Sequence, residues 1–312
     1  MQTPSPSFSI VTVCLNAVGT VEQAMDSVFS QTCPPFEYIV VDGGSTDGTR
    51  ELIERYRPRL THVVLEPDEG IYDAFNKGVA RATGDVVGIL NADDLYAPWA
   101  LETVAEAYRK SPDTGVFYGK LAVVDEARCR WTVYPVGDHR RLTGRMSIAH
   151  PATFVARSVY DRHGLFDPSF RVSGDWDLML RFFRWGVPFC PIDKVLTAFR
   201  NSGVSSAYSE RLFMENRRIH KNALPPLAAF KATLKMYLKR WGRRWIDDLG
   251  LSECYARYRD SRLLCAEVSG AFDGSFGRLW EALSHRRPSM PSTASASKKE
   301  PKDGRRRGNE VL

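Results

Sequence analysis

Runs of apolar residues, many of them β-branched, alternate from residue 8 to residue 199 with stretches whose apolar positions recur every three or four residues. The first run, residues 8–15, ends at Asn16, and Val21, Met25, Val28 and Phe29 then share one helical face. Residues 36–41 form a second run. It is closed by the loop Asp42-Gly-Gly-Ser-Thr-Asp-Gly-Thr49, in which Thr46 or Asp47 can cap a helix through Leu52, Ile53 and Tyr56. A third run, residues 61–65, leads through Glu66-Pro-Asp-Glu-Gly70 into a helix carrying Tyr72, Phe75, Val79 and Ala80. In the fourth, Val86, Val87, Ile89 and Leu90 are too continuously apolar for a strand with one wet face. Strands alternating with helices predict an α/β fold, a Rossmann-like, mostly parallel sheet with helices on both faces.

Further along, the spacing predicts a helix over 101–108, a strand over 115–124 leading to a hairpin near 131–135, a strand over 150–157 and a short helix over 158–163. Leu178, Leu180, Phe182, Phe183 and Trp185 mark a helix with Asp175 in its first turn, and residues 189–199 read as a final strand. Past Asn201 the pattern changes. Residues 202–223 are polar and helical, Leu224-Pro-Pro226 breaks the chain, and 254–268 reads as another helix. Between them Leu227, Phe230, Leu234, Leu238, Trp241, Trp245 and Leu249 form one stripe of an amphipathic helix over 227–249, with Lys235, Lys239, Arg240, Arg243 and Arg244 away from its centre. Residues 286–312, rich in Ser, Pro, Lys and Arg, bury too little apolar surface to order. The organisation predicted is a domain over 7–200, a helical extension over 201–285 and a disordered basic tail.

The net charge of +6 lies in that tail and in the amphipathic helix, so the body offers no basic surface built to grip nucleic acid. The helix instead predicts a peripheral contact with an anionic membrane face, against the alternative that it packs on the body or on a second subunit. The six cysteines form no CxxC pair, and the Ser/Pro-rich start carries no apolar leader, which predicts a cytoplasmic protein.

Ligands of parallel sheets sit beyond the carboxyl ends of the strands, where Asp42, Asn91, Asp93 and Asp94 fall. Adjacent carboxylates need water, a cation or a donor to offset their repulsion, although a solvated helix-capping turn accounts for them as well. Taken in order, the Asp42 loop, the stretch Asp85 to Asp94 and Gly174-Asp175-Trp-Asp-Leu resemble glycosyltransferase family 2, inverting enzymes of the glycosyltransferase-A fold, over residues 7–200. Residues 68–84 resemble the branches of that family that build bacterial exopolysaccharide and lipopolysaccharide.

The resemblance implies a nucleotide-sugar donor and a glycan or polyprenyl-linked acceptor. Asp42 would hold the base or ribose, with an Asx turn as its other reading, and Lys77 and His150 would approach the nucleotide, the diphosphate or the acceptor. Asn91-Ala-Asp93 stands in the place of the family's Asp-X-Asp motif, so Asp93 would bind Mg²⁺ or Mn²⁺. Asp175 matches the catalytic base; Gly174 replaces the Glu that usually precedes it, and Asp177 is the other candidate. Asn91 and Gly174 also suit a nucleotide-sugar binding module without turnover. A nucleotidyltransferase is a further alternative, opposed by the lack of Lys or Arg in residues 16–19.

Overall fold

The computed structural model describes residues 4–201, 210–248 and 268–284. Four strands, β1 (Phe8–Cys14), β2 (Glu37–Asp42), β3 (His62–Leu65) and β4 (Val86–Asn91), run parallel in the order β3-β2-β1-β4. Between them come α1 (Val21–Phe29), α2 (Thr49–Tyr56) and α3 (Ile71–Val79). Every residue of β1 and β2 is buried, as expected of strands covered on both faces. The register fixes the mouth of the sheet. Cys14 pairs with Asp42, Asp42 with Leu65, and Val13 with Asn91, so the loops after β2, β3 and β4 all start level with the end of β1.

The chain continues through β5 (Leu95–Tyr96), α4 (Ala100–Lys110), β6 (Val116–Asp125), β7 (Arg130–Tyr134), β8 (Thr153–Ala156), α5 (Arg157–His163), α6 (Gly174–Arg184) and β9 (Phe189–Arg200). This half of the sheet contains the antiparallel pairings: β8 with β4 and β6, β6 with β7, and β5 with β9. One core cluster joins Val11, Ile39, Phe75 and Phe182 on one face of the sheet, and another joins Phe8, Met25, Leu101 and Val104 on the opposite face. Helix α3 lies close to β1, where a Cβ on Gly78 would overlap the Val11 side chain.

After β9 come α7 (Glu210–Ala223) and α8 (Pro226–Asp248), with Phe213 edge-on to Tyr237 at 4.6 Å. Then β10 (Val268–Ala271) pairs with β7, and α9 (Phe276–Ser284) packs Leu279 and Trp280 into a third cluster with Trp131, Trp280 lying 6.0 Å from Trp99. Residues 268–271 therefore extend the sheet, and the helix over 276–284 packs beside it. Val-Ser-Gly-Ala is too short and too weakly apolar to announce a strand. The helix expected over 254–268 and the tail over 286–312 lie outside the described residues, apart from Val268.

The described part of the stripe on α8 is exposed. Leu227, Phe230, Leu234, Leu238 and Trp241 are between 46% and 66% exposed. The side chains of Lys239, Arg240, Arg243, Arg244 and Trp245, and the whole of Leu249, lie outside the described residues. No helix among the described residues is long and apolar enough to cross a membrane.

Candidate active site

Asp42 ends β2 with its side chain fully buried. Its Oδ1 accepts the backbone N–H groups of Gly44 (3.1 Å) and Ser45 (2.9 Å) and Arg50 Nε (2.8 Å), which shapes the loop as an Asx turn. Burial alone would raise its pKa, but the hydrogen bonds from Ser45, Arg50 and Gly44 outweigh burial and hold the carboxyl below its ordinary value. Asn16, at a φ of 51°, accepts Thr46 N–H at 2.9 Å and so ties the end of β1 to this loop. A Cβ on Gly43 would overlap the Asp68 carboxylate, which brings the loop after β3 against the loop after β2. Lys77 reaches back from α3 to the same loop, donating to the Pro67 carbonyl at 2.7 Å and pairing with Asp73 at 3.2 Å and Glu66 at 3.4 Å.

Across β1, Asn91 Nδ2 donates to Asp94 Oδ2 at 3.2 Å. Asn91 Oδ1 and Asp94 Oδ1 are buried without a hydrogen-bond partner. Burial pushes both Asp93 and Asp94 above their ordinary values, Asp94 further because it is more deeply buried, with the neighbouring Asp93 adding to the rise. Arg200, at the end of β9, opposes this from nearby, donating to the Asp93 carbonyl at 3.3 Å and pairing with Glu126 at 3.0 Å. Oxygen groups left unmet beside a half-buried carboxylate fit a hard divalent cation. Among the described residues no group of three or more His, Cys, Asp or Glu is placed to hold such an ion by protein ligands alone.

Asp175 lies in the first turn of α6, half-buried. Burial pushes its pKa up, against partial relief from His150, the Trp176 N–H at 2.8 Å and the Tyr72 hydroxyl at 3.4 Å. His150 stacks on Phe75 with ring centroids 5.4 Å apart and faces the edge of Phe166; burial lowers its pKa while Asp175 acts the other way. Asp177, by contrast, is paired with Arg181 at 2.9 Å. A Cβ on Gly174 would come within 2.7–2.9 Å of the Tyr72 ring, so Tyr72 fills the space of a side chain at 174. Its hydroxyl also donates to the Val172 carbonyl at 2.7 Å. The loop entering α6 is pinned from α7, where buried Glu215 accepts the backbone N–H groups of Arg171 (2.9 Å), Val172 (3.0 Å) and Ser173 (2.8 Å).

The sequence profile described as Glycosyl transferase family 2 matches residues 9–163. Over 183 residues the chain is 34% identical to the PGL/p-HBAD biosynthesis glycosyltransferase of Mycobacterium tuberculosis, covering 57% of this chain and 70% of that protein. The chain belongs to glycosyltransferase family 2. A second glycosyltransferase of M. tuberculosis, uncharacterized, is 30% identical over 208 residues, covering 65% of this glycosyltransferase and 79% of that one. Among solved structures, S. aureus TarS in complex with UDP-GlcNAc superposes with a TM-score of 0.54 at 19% identity, covering 73% of this chain and 70% of that one. The mannosyltransferase PcManGT from Pyrobaculum calidifontis, in complex with GDP-Man and Mn²⁺, gives 0.54 at 21%, covering 75% and 69%. At such identities these two likenesses establish the glycosyltransferase-A type fold.

Of the residues singled out in the sequence of this glycosyltransferase, Asp42 and Asn91 flank the end of β1, and Asp93 follows Asn91 by two residues. His150 and Asp175 lie within electrostatic reach of each other. The loop over 66–70 joins the two groups, since Asp68 touches Gly43, Gly70 touches Arg171, and Tyr72 follows directly. Lys77 is engaged by Glu66 and Asp73. Sequence reasoning missed Asp68, Tyr72, Arg200 and Glu215. Tyr72 shares the spacing of the core face of α3, and Arg200 and Glu215 carry no local signal. Asp68 was readable, as an acid in a Pro/Gly loop at a strand end.

Proposed function

We propose that this glycosyltransferase moves a sugar from a nucleotide-sugar donor to a hydroxyl of a glycan or lipid-linked acceptor, with inversion, in the synthesis of bacterial surface polysaccharide. One observation carries the reading: Asp175 is a half-buried carboxyl, held above its ordinary pKa, with no cation paired to it in the described hydrogen bonds and ion pairs, at the start of a helix whose entry is clamped. A base poised in this way suits proton abstraction near neutral pH. Asp175 takes the proton of the acceptor hydroxyl as its oxygen bonds to the anomeric carbon. The bond from that carbon to the diphosphate breaks, and the nucleoside diphosphate leaves with the electron pair. His150 favours the ionised form of Asp175. Asp42 shapes the nucleotide loop through its Asx turn, and Lys77 steadies the neighbouring loop beside it. Asp93 and Asn91 would hold Mg²⁺ or Mn²⁺, which when bound stabilises charge on the departing diphosphate.

The exposed stripe of α8 supports a peripheral stay on the cytoplasmic face of an anionic membrane, where a lipid-linked acceptor resides. Incubation with a panel of UDP- and GDP-sugars and Mn²⁺, followed by NMR of the product, tests the assignment. The expected product has the anomeric configuration opposite to that of the donor. Retention would overturn the mechanism, and tight donor binding without hydrolysis or transfer would favour a binding module.

A further inference from the structure

Between α6, α7 and α8 lies a cavity of about 620 Å³ that the proposed donor site does not use, with Asp175 on its wall. The volume falls within the roughly 300–1,000 Å³ typical of small-molecule pockets. Met146, Trp176, Leu212 and Met236 supply most of the lining surface, with Arg145, Ser173, Asn216 and Lys235 as polar groups among them. Trp176 gives its indole N–H to the Leu142 carbonyl at 2.7 Å, which leaves its ring as wall. Behind that ring, at 5.2 Å, stands His220, whose Nε2 must be the donor toward the Gly144 carbonyl at 3.2 Å, since a carbonyl only accepts. Burial lowers the pKa of His220, so the ring adds no fixed charge to the wall at neutral pH.

Helix α8 takes part with one side only. Ala232, Lys235 and Met236 line the cavity, while Leu227, Phe230, Leu234 and Leu238, on the opposite side by helical spacing, are exposed. An apolar space beside Asp175 is thus separated from an exposed apolar surface by a single helix. The α7 and α8 residues of the lining lie beyond residues 9–163, the part shared with the family profile.

We propose that this cavity receives the apolar part of the acceptor, an alkyl or aryl group close to the accepting hydroxyl, so that the substrate is an amphiphile rather than a free hydrophilic glycan. The proposal rests on the reading of Asp175 as the base. It makes α7 and α8 the elements that set acceptor choice, and it explains why most of the wall surface is apolar although the chemistry at its end is polar.

Two methionines in the wall report occupancy directly. In full-length protein labelled with [¹³C-methyl]methionine, octyl β-D-glucoside below its micelle concentration is expected to shift Met146 and Met236 saturably. Methyl β-D-glucoside should leave both in place, and the core residues Met25 and Met179 should not move with either. Shifts equal for the two glucosides, shifts shared by Met25 and Met179, or no shift at all would overturn the proposal. Ala232→Trp, which fills the space, is expected to remove the shifts and to raise KM for an alkyl-bearing acceptor by about tenfold or more. That effect should fall on the acceptor rather than on donor affinity; a weakened donor alone would also overturn the proposal. An Asp175→Asn variant with undiminished transfer would instead sink the reading of the base while the methyl shifts persisted, so the two failures are told apart.

Discussion

Asp42 and Asp175, on two sides of the proposed site, are treated in opposite ways. Asp42 is wholly buried, its Oδ1 bound by Gly44, Ser45 and Arg50, and held below its ordinary pKa. Asp175 receives one short backbone hydrogen bond and a longer one from Tyr72, and burial lifts it. The first arrangement spends a carboxylate on shaping a loop, which suits a rigid seat for a nucleotide. The second keeps a carboxylate under-satisfied, which suits a group that must gain and lose a proton. The proposed donor half is built by consecutive βα units within the first hundred residues, whereas the proposed acceptor half is assembled from Tyr72, His150, Asp175 and Glu215 on separate elements.

The comparison breaks most visibly at Asp93. Asp93→Ala is expected to abolish the Mn²⁺-dependent part of nucleotide-sugar affinity in calorimetry while leaving thermal unfolding near wild type; undiminished metal-dependent affinity would remove Asp93 from the donor half. On the acceptor side, Gly174→Glu would drive a side chain into the Tyr72 ring. Overpacking of about 1–3 kcal/mol against the base corresponds to a transfer rate lower by roughly ten- to a hundredfold. Tyr72→Ala in the same chain should restore part of it, and Gly174→Glu with normal transfer would show that Tyr72 does not occupy that space. Glu215→Ala acts on stability instead, since it leaves three backbone N–H groups without their carboxylate. A loss of about 1–3 kcal/mol in denaturant unfolding is expected, and a neutral result would mean that the α6 entry is held by other contacts. The smallest effect concerns α8. Phe230→Ala with Leu238→Ala should reduce co-sedimentation with anionic vesicles without altering the unfolding midpoint, and no binding of wild type to such vesicles would return the stripe to a protein partner.

Much of the proposed donor half was legible because β1, β2 and β4 are apolar on both faces and give way to polar residues at Asn16, Asp42 and Asn91, so chain order alone delivered Asp42, Asn91 and Asp93 to one edge. Of the proposed acceptor half, the sequence pointed to Asp175 and His150 alone. Tyr72 has the spacing of a core residue and is one, since its ring stacks on Phe166 at 5.6 Å while its hydroxyl serves the loop. Arg200 meets the Asp93 carbonyl across 107 positions of sequence, a distance over which periodicity carries nothing. Glu215 sits in a helix with many charged positions, where one buried acid looks like its exposed neighbours. The strand β10 escaped because four small or weakly apolar residues carry no period.

The division between a donor seat and a poised base is tested most directly on Asp175→Asn, by measuring donor affinity and single-turnover transfer on the same preparation across pH. In wild type, transfer should rise with pH along one limb lying above the ordinary carboxylate range, because the base works only after losing its proton and burial raises its pKa. In Asp175→Asn that limb should vanish and transfer should fall by about 10²–10⁴-fold with donor affinity nearly unchanged. Weakened donor affinity at normal turnover, or a limb that survives the substitution, would contradict the assignment and make Asp175 part of the donor seat.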